Sequence, residues 1–409
     1  MLGTNELIPF INSTISFWHL GKICYDEENG YSRSNLIDQA NFVWVDTPDG
    51  LAKLIETLLQ QPILAIDTES DSLYSYFEKI CLVQISTPEN DFIVDPLQID
   101  ITPLGAIFQS ETIQKVFHAA EYDIMSLRRD YGFCFNNLFD TMLASRILGW
   151  ARYGLGHILN THFKVAPNKR FQHYNWGKRP LDQAALTYAR LDTHYLLALR
   201  EIQQRELNQK NRQEEAQEIF EQSTQVQGQA KIFNPADFCQ IKGAKQLSSE
   251  QQSKLQALYV FRDRAARRTN RPPFKIINDA AMVQLAVQAP KTIKDLRMVK
   301  GVGKYFEKRY GNKTLKLLRT PQPGPVLPKS KNCKPSEKSL KRYEALRAWR
   351  NQVAQKRGVE PDVILSNDTL MTIAKTNPAN SAALAQKNIL GHWQFKTYAK
   401  ALLKTLQSI

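Results

Sequence analysis

The sequence predicts an α/β domain followed by two small all-α domains, and three observations predict it. From Phe42 onward, short apolar runs of strand length alternate with amphipathic helical stretches, the order expected when strands and helices share one layered core. The Gln/Glu-rich stretch 201–229 then interrupts the apolar pattern, which marks the first domain boundary, and the remainder reads as helical. That remainder repeats itself. LQALYVFRDRAARR (255–268) is echoed by YEALRAWRNQVAQKRG (343–358), and NDAAMVQLA (278–286) by NDTLMTIA (367–374), a period of about 88 residues. Two copies of one helical module follow.

Residues 1–41 mix aromatic with polar residues, and Asn29-Gly30 favours a turn, so this extension is expected to hold a short strand or two. VWVDTPDGLAKLIETLLQ (43–60) reads as a strand, a turn capped by Asp46 or Thr47, and an amphipathic helix. ILAIDTES (63–70) opens as a continuous apolar run, the mark of a strand buried on both faces. ICLVQIST (80–87), DFIVDPL (91–97) and IQKVFHA (113–119) are further strands, with a helix ending before Thr112. Helices are expected at 121–131, 141–149, 154–163 and from 181 onward, around the basic and aromatic loop FKVAPNKRFQHYNWGKRP (163–180). The expected domains are an extension (1–41), an α/β domain (42–225) and helical modules at 240–320 and 339–409. Between the modules, residues 321–338 form a Pro/Lys-rich linker whose five prolines make it stiff and exposed.

At 409 residues, 43% hydrophobic and 23% charged, the composition excludes a wholly disordered or collagen-like chain. The net charge of +14 is unevenly spread. Residues 231–409 carry 35 Lys and Arg against 11 Asp and Glu, net +24, whereas residues 1–230 carry 19 against 29, net −10. One part is suited to a phosphate backbone and the other to carboxylates that need cations. The five cysteines form no CxxC pair, so neither a zinc knuckle nor a disulfide framework is indicated, and a reducing compartment is expected. No apolar run approaches the ~18 residues of a membrane span. The first residues also lack a basic segment leading into a long apolar one. A cytoplasmic protein is expected, with no membrane partner.

Asp67-Thr68-Glu69 ends the buried strand, where functional groups of α/β sheets gather, and residues two apart share a face. Its other reading is two solvated acids opening a loop. Asp123 follows a second strand, at the start of a helix, where favourable placement in the helix dipole is the plain alternative. Tyr188 and Asp192, four apart, share one helix face. Together Asp67, Glu69, Asp123 and Asp192 could converge on two hard divalent cations, an arrangement suited to in-line displacement at phosphorus.

DTES, HAAEYD and YARLD, in this order and at these separations, resemble the three exonuclease motifs of the DEDD superfamily, in the subgroup with tyrosine in the third motif. CLVQIST (81–87), FDTMLASRILG (139–149), YGLGHILNTHF (153–163) and NWGKRPL (175–181) narrow the resemblance to the ribonuclease D family. The two modules resemble its C-terminal HRDC domains. The resemblance covers nearly everything from residue 42 onward and implies a ribonuclease H-like mixed sheet with helices. It implies that Asp67 bridges two cations, Mg²⁺ or Mn²⁺, that Glu69 and Asp192 complete the first site, and that Asp123 holds the second largely through water. Tyr188 would orient the attacking water, so no covalent intermediate is expected. The implied activity is 3′-to-5′ exoribonucleolytic removal of nucleoside 5′-monophosphates from structured RNA with a single-stranded 3′ end, tRNA precursors above all. A monomer with no obligate protein partner is expected. Two other readings remain: a repair DNA exonuclease similar to those fused to RecQ-like or Werner-type helicases, and a catalytically silent RNA-binding scaffold.

Leu73, Tyr74 and Tyr76 follow the first motif, where a wedge beside the terminal base would be useful. His118 is weighed as an additional base or an RNA contact, against a packed histidine, and Asp140 reads as a helix cap. Lys169, Arg170, Phe171, Trp176, Lys178 and Arg179 combine cations for phosphates with rings for stacking, although Trp176 could equally anchor its loop. In the first module, Arg262, Arg264, Arg267, Arg268 and Arg271 form a dense cluster, and Lys300-Gly-Val-Gly-Lys304 offers amides to a phosphate or a tight interhelical turn. Arg347, Arg350, Lys356 and Arg357 repeat the cluster more weakly in the second.

Overall fold

The structure, a computed structural model, describes residues 42–228, 232–320, 324 and 335–409. The extension 1–41 and most of the expected linker 321–338 lie outside the described residues.

Six strands form one sheet: β1 (Val43–Val45), β2 (Ile63–Ser70), β3 (Ile80–Ser86), β4 (Asp91–Val94), β5 (Gln114–Phe117) and β6 (Leu138–Asp140). Their spatial order is β1-β4-β3-β2-β5-β6, with β3 antiparallel to both neighbours and the other pairs parallel. The sheet is therefore mixed, as the resemblance implied. Sequence reading missed β6, three residues paired with β5, too short to show any alternation.

Helices α1 (Pro48–Leu59), α2 (Gly105–Gln109), α3 (Glu121–Tyr131), α4 (Thr141–Leu148) and α5 (Leu155–Phe163) follow the expected positions. In α1, Thr47 caps the Gly50 N–H, Pro48 takes the first turn where no amide is needed, and Leu51, Leu54 and Leu58 are buried at helical spacing. The helix expected from 181 onward is three: α6 (Gln183–His194), α7 (Leu196–Gln209) and α8 (Gln213–Ser223), with Asn211 left-handed between the last two. The Gln/Glu-rich stretch is consequently no boundary until Ser223. Leu207, Ala216 and Phe220 pack into the α/β core, and the polar residues that masked them occupy mostly the outer face. On the opposite face of the sheet, Ala185 and Ala189 of α6 meet Cys81, Leu82, Ile93, Phe171 and Trp176 in a smaller cluster.

The modules comprise α9 (Ser249–Thr269), α10 (Pro273–Ile276), α11 (Asp279–Gln288), α12 (Ile293–Met298) and α13 (Lys304–Arg319), then α14 (Glu337–Arg357), α15 (Pro361–Ile364), α16 (Asn367–Thr376), α17 (Ser381–Ala385) and α18 (His392–Gln407). Each helix of the second begins 88 residues after its counterpart in the first. Arg262 and Arg350, read from sequence as phosphate contacts, are instead buried at this same offset. Arg262 donates to the Ile277 carbonyl and Asp279, and Arg350 to the Leu365 carbonyl and Asn367, so each guanidinium is buried in holding its module together. Arg357 is likewise withdrawn from phosphate contact: it pairs with Glu215 of α8 and donates to the Tyr398 hydroxyl.

Both modules dock on the α/β domain through the left-handed residue that ends their long first helix. In the first module this is Asn270, whose side-chain oxygen accepts the N–H groups of Tyr76 and Phe77, both at 3.0 Å. In the second it is Gly358, whose carbonyl lies so close to Gly149 that a Cβ there would come within 2.2 Å of it.

Candidate active site

Asp67 and Glu69 lie at the carboxyl end of β2 and face α6, as their alternation requires. α6 supplies Asp192 and, one turn earlier, Tyr188. Carboxylate oxygens of Asp67, Glu69 and Asp192 come within 4.8 Å of one another. Asp123, in the first turn of α3, stands beside them and accepts a short hydrogen bond from Thr68. The structure thus brings together all four predicted carboxylates and the tyrosine.

Burial first, and then the charges of Asp123, Asp192 and Glu69, push Asp67 well above the usual carboxylate range. Glu69 is raised for the same reasons, burial and then Asp192 and Asp123. Burial carries Asp123 up to about 7, against the Thr68 hydrogen bond, and burial with the Asp123 charge carries Asp192 to about 8. Carboxylates crowded in this way hold their negative form only when a cation joins them. The donor set is all oxygen, with no thiolate or imidazole in the cluster, and therefore fits hard divalent ions such as Mg²⁺ or Mn²⁺. The Tyr188 phenol donates to Asp192 and is raised far above its ordinary range, chiefly by burial and then by Asp192, so it stays protonated.

Besides the expected cap Asp140, residues that sequence reasoning did not single out surround these groups. Asp91 of β4 receives hydrogen bonds from Arg190 and His194 of α6 and from Ser86 of β3, which ties α6 to the sheet on either side of Asp192. Burial would raise Asp91, but His194, Ser86 and Arg190 outweigh it and hold its carboxyl below the usual range. Asp140 caps α4 as expected, and it also accepts the N–H groups of Ala119 and Ala120, fixing the turn that leads into α3 and Asp123. Gln84 stands directly opposite Asp67 on β3, fully buried, with neither end of its amide bonded to protein. Only a three-dimensional register makes these neighbours.

The predicted RNA contacts divide. Phe171 and Trp176 are buried, with ring centroids 5.5 and 6.3 Å from that of Tyr188, so they support the tyrosine and present no stacking face. The Arg179 guanidinium is spent on Asp95, at 2.6 Å to both oxygens, and on three carbonyls. His118 bonds to Thr141 at 2.8 Å, and burial lowers its pKa to about 4, leaving a neutral structural ring. Lys169, Arg170, Lys178, Arg264, Arg267, Arg268, Lys300 and Lys304 are exposed, as is Leu73, whereas Tyr74 is half-buried and donates to the His173 carbonyl. Gly301, left-handed and against Ala281, shows the Lys300–Lys304 segment to be a packed interhelical turn.

Among the described residues, no helix is long and apolar enough to cross a membrane. Residues 42–208 match the 3′-5′ exonuclease family, and residues 251–318 and 339–406 each match the HRDC domain. Exosome complex component 10 of Mus musculus is 35% identical over 256 residues, which cover 60% of this chain and 29% of that protein. The chain thus spans about a third of the length of the curated relatives it matches. The catalytic core of RRP6 from Trypanosoma brucei is 27% identical and superposes with a TM-score of 0.63 over 72% of this chain and 83% of that one. Escherichia coli RNase D, at 22% identity, shares the fold over 90% of this chain and 99% of its own, with a TM-score of 0.63.

Proposed function

We propose that this chain, a 3′-5′ exonuclease domain followed by two HRDC domains, is an exoribonuclease of the ribonuclease D family, releasing nucleoside 5′-monophosphates from the 3′ ends of structured RNA, tRNA precursors among them. The convergence of Asp67, Glu69 and Asp192 within 4.8 Å, with Asp123 beside them, carries the reading. Asp67, Glu69 and Asp192 would hold one divalent cation and Asp123, with Asp67, a second. Two such ions, Mg²⁺ or Mn²⁺, would supply an activated water and stabilise charge on the leaving 3′ oxygen. Tyr188, kept protonated, serves as a hydrogen-bond donor that orients and never as a nucleophile. Phe171 and Trp176 brace its ring, and Asp91 locks the helix that carries it. The relatives named as exosome components are matched over only a third of their length, and we propose that this chain acts as a monomer in the cytoplasm.

The test is a matched pair of 5′-labelled RNA and DNA hairpins with single-stranded 3′ tails, incubated with Mg²⁺. The RNA should shorten one nucleotide at a time, and Asp67→Ala and Asp123→Ala should each abolish the ladder. Equal or faster shortening of DNA would instead indicate a repair exonuclease. Binding without shortening of either polymer would indicate a silent scaffold.

A further inference from the structure

Where the first module meets the α/β domain, cations of the module lie over two rings of the α/β domain and one of its own. The Lys275 ammonium lies 3.7 Å from the centre of the Tyr74 ring, Arg267 lies 5.8 Å from that of Phe77, and Arg271 lies 5.2 Å from that of Tyr305. Tyr74 and Phe77 belong to the loop 71–79 that leaves the catalytic strand β2, whereas the cations belong to the module. Phe77, Phe274 and Tyr305 are about half exposed, at 54%, 53% and 49%.

The seam is held rigidly. Asn270 accepts two backbone N–H groups of the loop, and the Tyr76 hydroxyl donates to Asp263 at 2.6 Å. Within the loop Asp71 accepts from the Lys79 N–H and Ser75, and Glu78 pairs with Arg129 of α3, the helix that carries Asp123. The loop is thereby fastened to both the catalytic helix and the module.

Among the described residues Arg267, Arg271 and Lys275 form no ion pair: Asp279 is taken by Arg262 and Glu307 by Arg297, and Asp263, one turn before Arg267, is held by the Tyr76 hydroxyl. Burial and the neighbouring charge of Arg271 lower the Lys275 pKa, a strain that an anion would relieve. Unpaired cations interleaved with exposed rings suit phosphates and bases of an unpaired strand.

We propose that this seam is a track for single-stranded RNA approaching the carboxylate site, with phosphates on Arg267, Arg271 and Lys275 and bases on Phe77, Phe274 and Tyr305. The assignment rests on the exoribonuclease reading of that site. The test uses the full chain in EDTA, where no hydrolysis occurs, and the fluorescence anisotropy of a short fluorescein-labelled single-stranded RNA. Phe77→Ala and Tyr305→Ala, at exposed positions, should each weaken binding about tenfold. The double variant Arg267→Ala/Arg271→Ala should reduce the slope of log Kd against log salt by about 1.4. Unchanged affinity and slope in these variants would overturn the proposal, as would losses confined to DNA of the same sequence. The two readings fail separately. Wild-type protein that binds RNA through the seam but does not shorten it with Mg²⁺ defeats the exoribonuclease reading alone, whereas one that shortens RNA while the variants bind normally defeats the seam.

Discussion

Asp123 and Asp192, with pKa values near 7 and 8, and Asp67 and Glu69, raised first by burial and then by the charges of Asp123 and Asp192, make the metal-free site a store of protons. Unfolded, the same carboxyls titrate near pH 4. Between about pH 4 and 8 the folded chain therefore binds more protons than the unfolded chain, and in chelator its stability should fall as pH rises through that window. A divalent cation displaces those protons, so its stabilising effect should be larger at about pH 8 than at about pH 6. Thermal unfolding with EDTA and with Mg²⁺ at both pH values would show this, and an equal Mg²⁺ gain at both would mean that these carboxyls are not the ligands. His118 works in the opposite sense: burial lowers it to about 4 in the fold, whereas unfolded it titrates near 6.5, so between about pH 4 and 6.5 it contributes stability that rises with pH and partly offsets the carboxyls.

At the scale of elements, the repeated module shows one architecture docked by two chemistries. The cap of α9 is Asn270 and that of α14 is Gly358, both left-handed. The asparagine reaches out with a side chain to hold the loop after β2, whereas the glycine lets its carbonyl approach Gly149. The second module is locked further by Arg357 on Glu215, by Arg146 on Glu360 and Asp362, and by Glu218, which accepts the first N–H groups of α18 at Trp393 and Gln394. The Glu215 carboxylate is only 1% exposed. Arg357→Ala would strand it without a partner and should cost about 3–5 kcal/mol. Replacing both residues with leucine should cost much less, and urea unfolding of the two variants separates the outcomes. Similar losses in both would mean that the ion pair does not govern docking.

Across the whole molecule, the acidic α/β domain holds the carboxylates while most of the excess positive charge lies in the modules. Binding of RNA should therefore be steeply salt-dependent, by about 0.7 in log slope for each phosphate contacted on a single strand. A chain ending at Gly228 should bind with a markedly shallower slope, measured by anisotropy over a salt series. A slope unaltered by the truncation would remove the modules from RNA binding. Three of the arginines that appeared to serve this role, Arg262, Arg350 and Arg357, are structural. The excess that remains is carried by residues such as Arg264, Arg268, Lys300 and Lys304, which are exposed.

The candidate site residues were legible in the sequence because short-range rules place them: a buried strand ending in Asp67 and Glu69, and a helix spacing of four joining Tyr188 to Asp192. The same locality exposed the module repeat, since each copy folds on its own pattern. Residues whose partners are distant in sequence were not legible. The stacking rings Phe171 and Trp176 lie beneath Tyr188, Arg179 reaches Asp95 across 84 residues, and Gln84 faces Asp67 only through the β2–β3 register. Arginine in sequence announces charge but not whether a buried carboxylate has already claimed it. The seam is the converse case, because Phe77 and Lys275 gain meaning only when two domains pack and leave rings and cations side by side at the surface.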